Sequence, residues 1–317
     1  MFESKNIIKA VFLCLLLYGS APVWGAKAKK VTKDPEQILQ EGRDAFLNYD
    51  FETAADLFDE YLALQKKSKK EVDPEVEEWQ RELEIASGAF ERVQKIVVID
   101  SLSLPASSFY NSYRLASSAG KNKALSAIAP DAPMKSDELS FANEEDDYFI
   151  VPAENKEGEM RLMDVYKLLD GSWEIVESLQ GDFEKNGDYL YPFMSGDGQT
   201  LYFANDGEES MGGLDIFVAQ KDPLTGEYRQ PLNMGMPFNS PWDDFMMAVD
   251  EENGLGWWAT DRGRNDGQVT VYIYLLEDIR KNYPMETENL EDLAKLSDYK
   301  MTWEPGKENE YKRKLGK

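Results

Sequence analysis

A stretch of this chain repeats itself 55 residues further on. Tyr202-Phe203-Ala204-Asn205-Asp206 falls on Trp257-Trp258-Ala259-Thr260-Asp261 without a gap, Gly212 on Gly267, and Ile216-Phe217-Val218 on Val271-Tyr272-Ile273. Each copy is an aromatic or β-branched run, a polar loop with glycine and a second such run, which is the composition of strand, turn and strand. Repetition at a fixed period restricts the fold strongly, because each copy needs a neighbour on which to bury its apolar face. A weaker earlier copy holds Tyr148-Phe149-Ile150-Val151 and Asp164-Val165-Tyr166, and its turn Asp170-Gly171-Ser172-Trp173 matches Thr225-Gly226-Glu227-Tyr228.

The glycines between Met194 and Gln220 admit two readings, a phosphate cradle or strand punctuation. A phosphate loop opens a helix behind a strand. Here strand-like Leu201-Tyr202-Phe203-Ala204 and Leu214-Asp215-Ile216-Phe217-Val218 flank the glycines, and no Gly-Lys-Ser or Gly-Lys-Thr tail follows. The segment reads as a β-hairpin. Gly198, Gly212, Gly213 and Gly267, with Tyr202, Phe203, Asp215, Trp257 and Trp258, are therefore expected to be structural repeat residues.

Ahead of the repeats the pattern is helical. Ala54, Leu57, Phe58, Tyr61 and Leu62 recur at helical spacing within 34–67, and two helices are expected to meet near Asn48-Tyr49-Asp50. A third helix opens at Pro74, with Val76, Trp79, Leu83, Ala86, Phe90 and Val93 stepping by threes and fours. After Lys95 the pattern turns to strand, which puts a boundary there. The expected fold class is α+β: a helical domain over 34–95, a mostly antiparallel repeat domain over 96–276 with copies at 138–181, 191–245 and 246–275, and a helical or irregular tail over 277–317.

Gly42, Phe51, Ala54 and Phe58 resemble one tetratricopeptide repeat, while a plain three-helix bundle is the alternative. "SGDGQTLYFAND", "GGLDIFVA" and "PLNMGMPFNSPWDDF" resemble the WD40-like or TolB-type β-propeller repeat found in exported Bacteroidetes proteins. Three copies do not close an ordinary propeller of four or more blades. Either Ile96 to Pro133 supplies a divergent blade or the propeller is open and partial; the second is expected. The resemblance also implies an envelope assembly of the kind that includes type IX secretion and gliding machinery. An OmpA-like peptidoglycan-binding domain often accompanies such repeats, but 277–317 has no counterpart of it, so direct peptidoglycan anchoring is not expected.

The first residues carry Lys5 and Lys9, an apolar run from Ala10 to Leu17, then Pro22 and Gly25-Ala26-Lys27-Ala28. That arrangement reads as a signal peptide over 1–25, giving a chain exported to the periplasm or associated with the outer membrane, with no transmembrane segment once cleaved. The single cysteine, Cys14, follows Leu13 within the apolar run; a lipid anchor would place it at the run's end after a small residue.

Formal charge is −25, from 60 acidic against 35 basic residues, which argues against nucleic acid as a partner. Histidine is absent, which removes histidine-based triads and metal sites. Carboxylates remain: Asp243-Asp244 with Asp215 suit a glycoside hydrolase, and Asp197, Asp206 and Asp215 near glycine turns are candidate calcium ligands. The residue equivalent to Asp215 is Thr270, which favours turn geometry over ligation, so no cofactor is expected. The acidic run Asn143-Glu144-Glu145-Asp146-Asp147 reads as a solvated face. Trp257-Trp258 and Trp242 offer a sugar or peptide platform, against which stands their use in the core; Met246-Met247 reads as packing.

Together these readings predict a non-enzymatic scaffold or adaptor that binds other envelope proteins of an outer-membrane complex. A glycan- or peptidoglycan-recognition module is the alternative, with an envelope hydrolase third. The helical unit is the expected docking element, with Tyr49 and Leu64 as its exposed partner-binding residues.

Overall fold

The computed structural model describes residues 34–176, 178–183, 186–264, 266–276 and 289–316. The expected signal peptide, with Cys14, lies outside them. Three helices come first, α1 (Pro35–Leu47), α2 (Phe51–Ser68) and α3 (Glu75–Phe90). Asp50 caps α2, its carboxylate accepting from the Thr53 backbone N–H at 3.2 Å, and Tyr49 turns the chain there with a φ of 65°. The α1–α2 approach is close because Gly42 has no side chain: a Cβ there would stand 2.8 Å from the Phe58 ring. Phe58 and Phe46 are fully buried in the helical core, each such burial contributing about 2 kcal/mol. No second helix pair repeats this arrangement among the described residues, so the tetratricopeptide expectation goes no further than one helical hairpin and a third helix.

Thirteen antiparallel strands follow among the described residues, in three sheets. The first sheet runs β2 (Lys121–Ala124), β3 (Leu139–Ala142), β4 (Tyr148–Glu154), β5 (Met160–Lys167) and β6 (Trp173–Val176), and a short helix, α4 (Leu125–Ile128), follows β2. The second runs β7 (Tyr189–Met194), β8 (Thr200–Asn205), β9 (Asp215–Gln220) and β10 (Leu232–Asn233). The third has β11 (Asp244–Asp250), β12 (Leu255–Thr260) and β13 (Gln268–Leu275), and its fourth strand is β1 (Val98–Pro105), which pairs with β13. The segment from Ile96 to Pro133, weighed as a divergent blade, is therefore divided between two sheets: β1 completes the third and β2 edges the first.

The 55-residue offset carries through to detail. Strands β7 and β11 begin 55 residues apart, and their pairings slip at equivalent places, between Leu190 and Phe193 and between Phe245 and Ala248. Strand β7 is the junction of the array, packing against β3, β4 and β5 on one side and β11 on the other. Among the described residues the three sheets form no closed ring. Every residue of β11 is buried, as expected for a strand covered on both faces.

Two helices, α5 (Leu290–Lys295) and α6 (Glu308–Lys314), close the described chain. Trp303 between them donates Nε1–H to the Val98 carbonyl at 2.6 Å, and Tyr311 of α6 is buried against the third sheet. Residues Pro35–Lys317 cluster as one compact unit, and Met211 and Met236 from loops of the second sheet share the helical core. No described helix is long and apolar enough to cross a membrane.

Candidate functional site

The helices meet the sheets around Arg262, in the turn after β12. Its guanidinium donates to Asp244 Oδ1 at 2.6 Å, to the carbonyls of Pro237 and Phe238 at 3.0 Å each, and to the Ala294 carbonyl of α5 at 3.3 Å. Asp244 is fully buried; that burial pushes its carboxyl up, and Arg262 only partly opposes the shift. Asp215 is equally inaccessible, held well above the ordinary carboxylate range by burial although the Met211 N–H and the Asn233 amide donate to it at 2.9 and 2.7 Å. Asp243 accepts from the Leu214 N–H at 2.9 Å. With Asp215 and Asp244 sealed from solvent, this trio offers a saccharide no access.

The structure corrects several expected exposures. Tyr49, read as a partner-binding residue, is buried: it packs on Phe51 at 5.9 Å, and its hydroxyl is pushed up to about 12 by that burial. Its left-handed turn folds the ring back onto the seam. Leu64 is half-buried against the helical core. Trp258 is fully buried and stacks on Tyr272 at 4.9 Å, while Trp242 donates Nε1–H to the Leu47 carbonyl at 3.1 Å, joining sheet to helix. The three tryptophans thus form no shared platform; Trp257 alone floors a cavity.

The repeat glycines lie between strands. Gly198 turns the β7–β8 hairpin with a φ of 66° and Gly267 precedes β13 at 72°. Gly213 has a φ of 74° and a Cβ there would run into the Asp243 carboxylate, while a Cβ at Gly212 would overlap the Pro241 backbone. Phe203 is in the core and Tyr202 half-buried beside it. The calcium candidates are separately engaged: Asp197 accepts from Gln199 and Thr200 within its own turn, Asp206 from the Asp188 N–H at 2.6 Å, and Asp215 as above. No group of three acidic side chains suited to a metal occurs among the described residues.

What the sheets do assemble is a groove. The first hairpin turns of the three sheets, 143–147, 195–199 and 250–254, converge at one end, where Ser118 and Ala119 cross them. One lobe, about 390 Å³, is walled by Phe141, Tyr148 and Tyr166 and rimmed by Glu144 and Glu145. The adjoining lobe, about 300 Å³, carries Asp197, Asp250, Glu251 and Glu252. Lys221 is the one cation among the described residues lining either lobe.

Each turn is held rigidly. Asn143 Oδ1 accepts from the Asp147 and Tyr148 N–H groups at 3.1 Å each, and buried Asp250 accepts from the Ala116 N–H at 2.8 Å. Ser195 donates to Glu251 and Ser118 to Glu252, tying the turns to each other and to the crossing segment. Behind the aromatic wall Tyr148 stacks on Tyr166 at 5.0 Å and donates to Asp164 at 2.7 Å. Burial raises the Asp164 carboxyl, while the tyrosine hydroxyls and Lys221 pull it down. Carboxylates beside aromatic faces attract cations, since the ring face is the negative end of its quadrupole. The sequence offered one hint, Asp197 falling on Glu252 at the repeat offset.

Fold and groove define a class: an α+β protein of stacked antiparallel sheets that presents an acidic, aromatic-walled cleft. Compared with known proteins, the chain matches no protein family, no curated protein and no solved structure.

Proposed function

We propose that this chain is a non-enzymatic scaffold whose acidic groove holds a basic segment of a partner protein. The observation that carries the reading is the convergence of three hairpin turns, which sets Glu144 and Glu145 beside the Tyr148 and Tyr166 rings in one lobe and Asp197, Glu251 and Glu252 in the lobe adjoining it. A lysine or arginine of the partner meets carboxylates at the rim and an aromatic face within. The chain's −25 charge steers a basic partner toward it.

The wider setting rests on the sequence resemblance. Two copies offset by 55 residues and a weaker third, each at the heart of one antiparallel sheet, support an open, partial propeller of the WD40-like or TolB-type, with tetratricopeptide-like helices at one side. The charged and apolar pattern of residues 5–28 supports export, and so a partner in a periplasmic or outer-membrane complex.

Cross-linking in envelope extracts, followed by pull-down and mass spectrometry, tests the assignment. The fourfold variant Glu144→Lys, Glu145→Lys, Glu251→Lys and Glu252→Lys is expected to lose the wild-type partners and to keep its circular dichroism spectrum. Recovery of the same partners by a folded fourfold variant would sink the groove as their docking site.

A further inference from the structure

A second cavity, of about 440 Å³, lies over one face of the third sheet. Trp257 and Ile273 pair directly across β12 and β13, and Ile273 pairs with Asp100 on β1, so these residues share a face. Two pieces of chain cover that face without meeting over its centre. One is the segment carrying Phe109 and Tyr113; the other is α6 with Tyr311 and Leu315. Between them the floor is apolar: Leu102 is its most exposed part, and Leu255, Trp257 and Ile273 show only small edges.

The rim is unusual for this molecule. Arg114 stands on one cover and Lys314 on the other, and neither has a carboxylate partner or a hydrogen bond among the described residues. Ser112 Oγ lines the same cavity, buried and without a hydrogen-bond partner. Asn111 and Asn253 add amides. Asp100 is the one acidic group among the described lining residues, and it accepts from the Ser101 N–H at 3.0 Å, so the mouth keeps a net positive charge. Pockets of roughly 300–1,000 Å³ with an apolar lining and a few convergent polar groups are the usual form of small-ligand sites.

We infer that this cavity binds a small carboxylate with a flat apolar body. The body lies against Leu102 and the small exposed edges of Trp257 and Ile273, and the carboxylate points outward between Arg114 and Lys314, with Ser112 Oγ–H as a further donor. An apolar floor suits an apolar body, and two opposed cations select an anion over its neutral isostere. The cavity shares no lining residue with the acidic groove, and the two meet at one turn, where the Asn253 amide of the cavity donates to Asp250 of the groove at 2.7 Å.

Isothermal titration of the full chain with three naphthalene probes tests this: 2-naphthoate, neutral 2-naphthalenemethanol and cationic 2-naphthylmethylamine. One saturable site for naphthoate is expected, with the alcohol weaker by about tenfold and the amine not bound, as charge-assisted hydrogen bonds imply. The double variant Arg114→Gln, Lys314→Gln should lose that tenfold preference without change in alcohol binding or melting temperature. Lys312→Gln, on the same helix outside the cavity, should bind naphthoate as the wild type does. Equal affinities for naphthoate and the alcohol, an equal loss in Lys312→Gln, or no saturable naphthoate binding would each overturn the assignment.

Discussion

Tyr191 and Met246, 55 residues apart, occupy the same bulge of two neighbouring sheets with φ values of 52° and 53°. Both are non-glycine residues in the left-handed region, where a β-branched side chain is a genuine outlier. The bulge bends β7 and β11 alike. It stacks Tyr191 on Phe245 at 4.9 Å and presents the Met246 carbonyl to the Tyr113 hydroxyl at 2.8 Å. Met246→Ile and Met246→Leu place similar volumes in the same buried site, so their difference reports the backbone. We expect Ile to be less stable than Leu by about 1–3 kcal/mol in urea titration; equal midpoints would mean that the bulge relaxes at no cost.

Gly213 and Gly267 separate a steric from a conformational requirement. Both have positive φ, but a side chain at Gly213 collides with Asp243, whereas Gly267 faces open space. Gly267→Val should therefore lose only the conformational cost, about 1–2 kcal/mol, and Gly213→Val clearly more, because Asp243 must also release the Leu214 N–H. Thermal unfolding of the two variants side by side measures the gap.

The repeat was legible because strand, loop and strand recur in sequence with matched residue types. The glycines of the hairpins were legible for the same reason. The outer strand of the third sheet was not, since β1 lies about 160 residues before β13 and no local pattern reports a pairing of that separation. Tyr49 was misplaced because an aromatic in a helix–helix turn reads as exposed until Arg262, Ser240 and Lys295 close over it. The groove was read only as a solvated acidic run at 143–147. Its other walls come from turns over 50 and 100 residues away, and only the stacking of sheets on β7 brings them together.

Asp261 gives the seam a pH dependence of defined sign. Burial, with Asp243 and Asp244 nearby, pushes its carboxyl up to about 6 from 3.8. The folded state then binds the proton more tightly than the unfolded state, so this group's contribution favours folding below pH 4 and is lost as pH rises to 6. Asp261→Asn keeps an oxygen to accept the Asp243 N–H, seen at 3.0 Å. The variant should be more stable than wild type at pH 7.5, by up to about 1 kcal/mol after solvent screening. That advantage should vanish on acidification through pH 6 to 4, as followed by chemical denaturation at each pH. A gain independent of pH would place its origin elsewhere.

The side chains of the Arg262–Asp244 pair are 8% and 0% exposed. A buried pair contributes little net stability when intact, because desolvation offsets the attraction, but removing one partner strands the other charge. Arg262→Met should therefore cost about 3–5 kcal/mol, the higher end because the Pro237, Phe238 and Ala294 carbonyls lose a donor as well. Asp244→Asn leaves the guanidinium those carbonyls and should cost less. In the double variant no charge remains buried, so its loss should fall well short of the sum of the two single losses. That coupling, read from urea midpoints at pH 7, distinguishes an ion pair from two independent packing residues. If the losses simply add, Arg262 acts only as a clamp on the carbonyls of α5 and the Pro237–Phe238 loop, and its contact with Asp244 is incidental to how the helices hold the sheets.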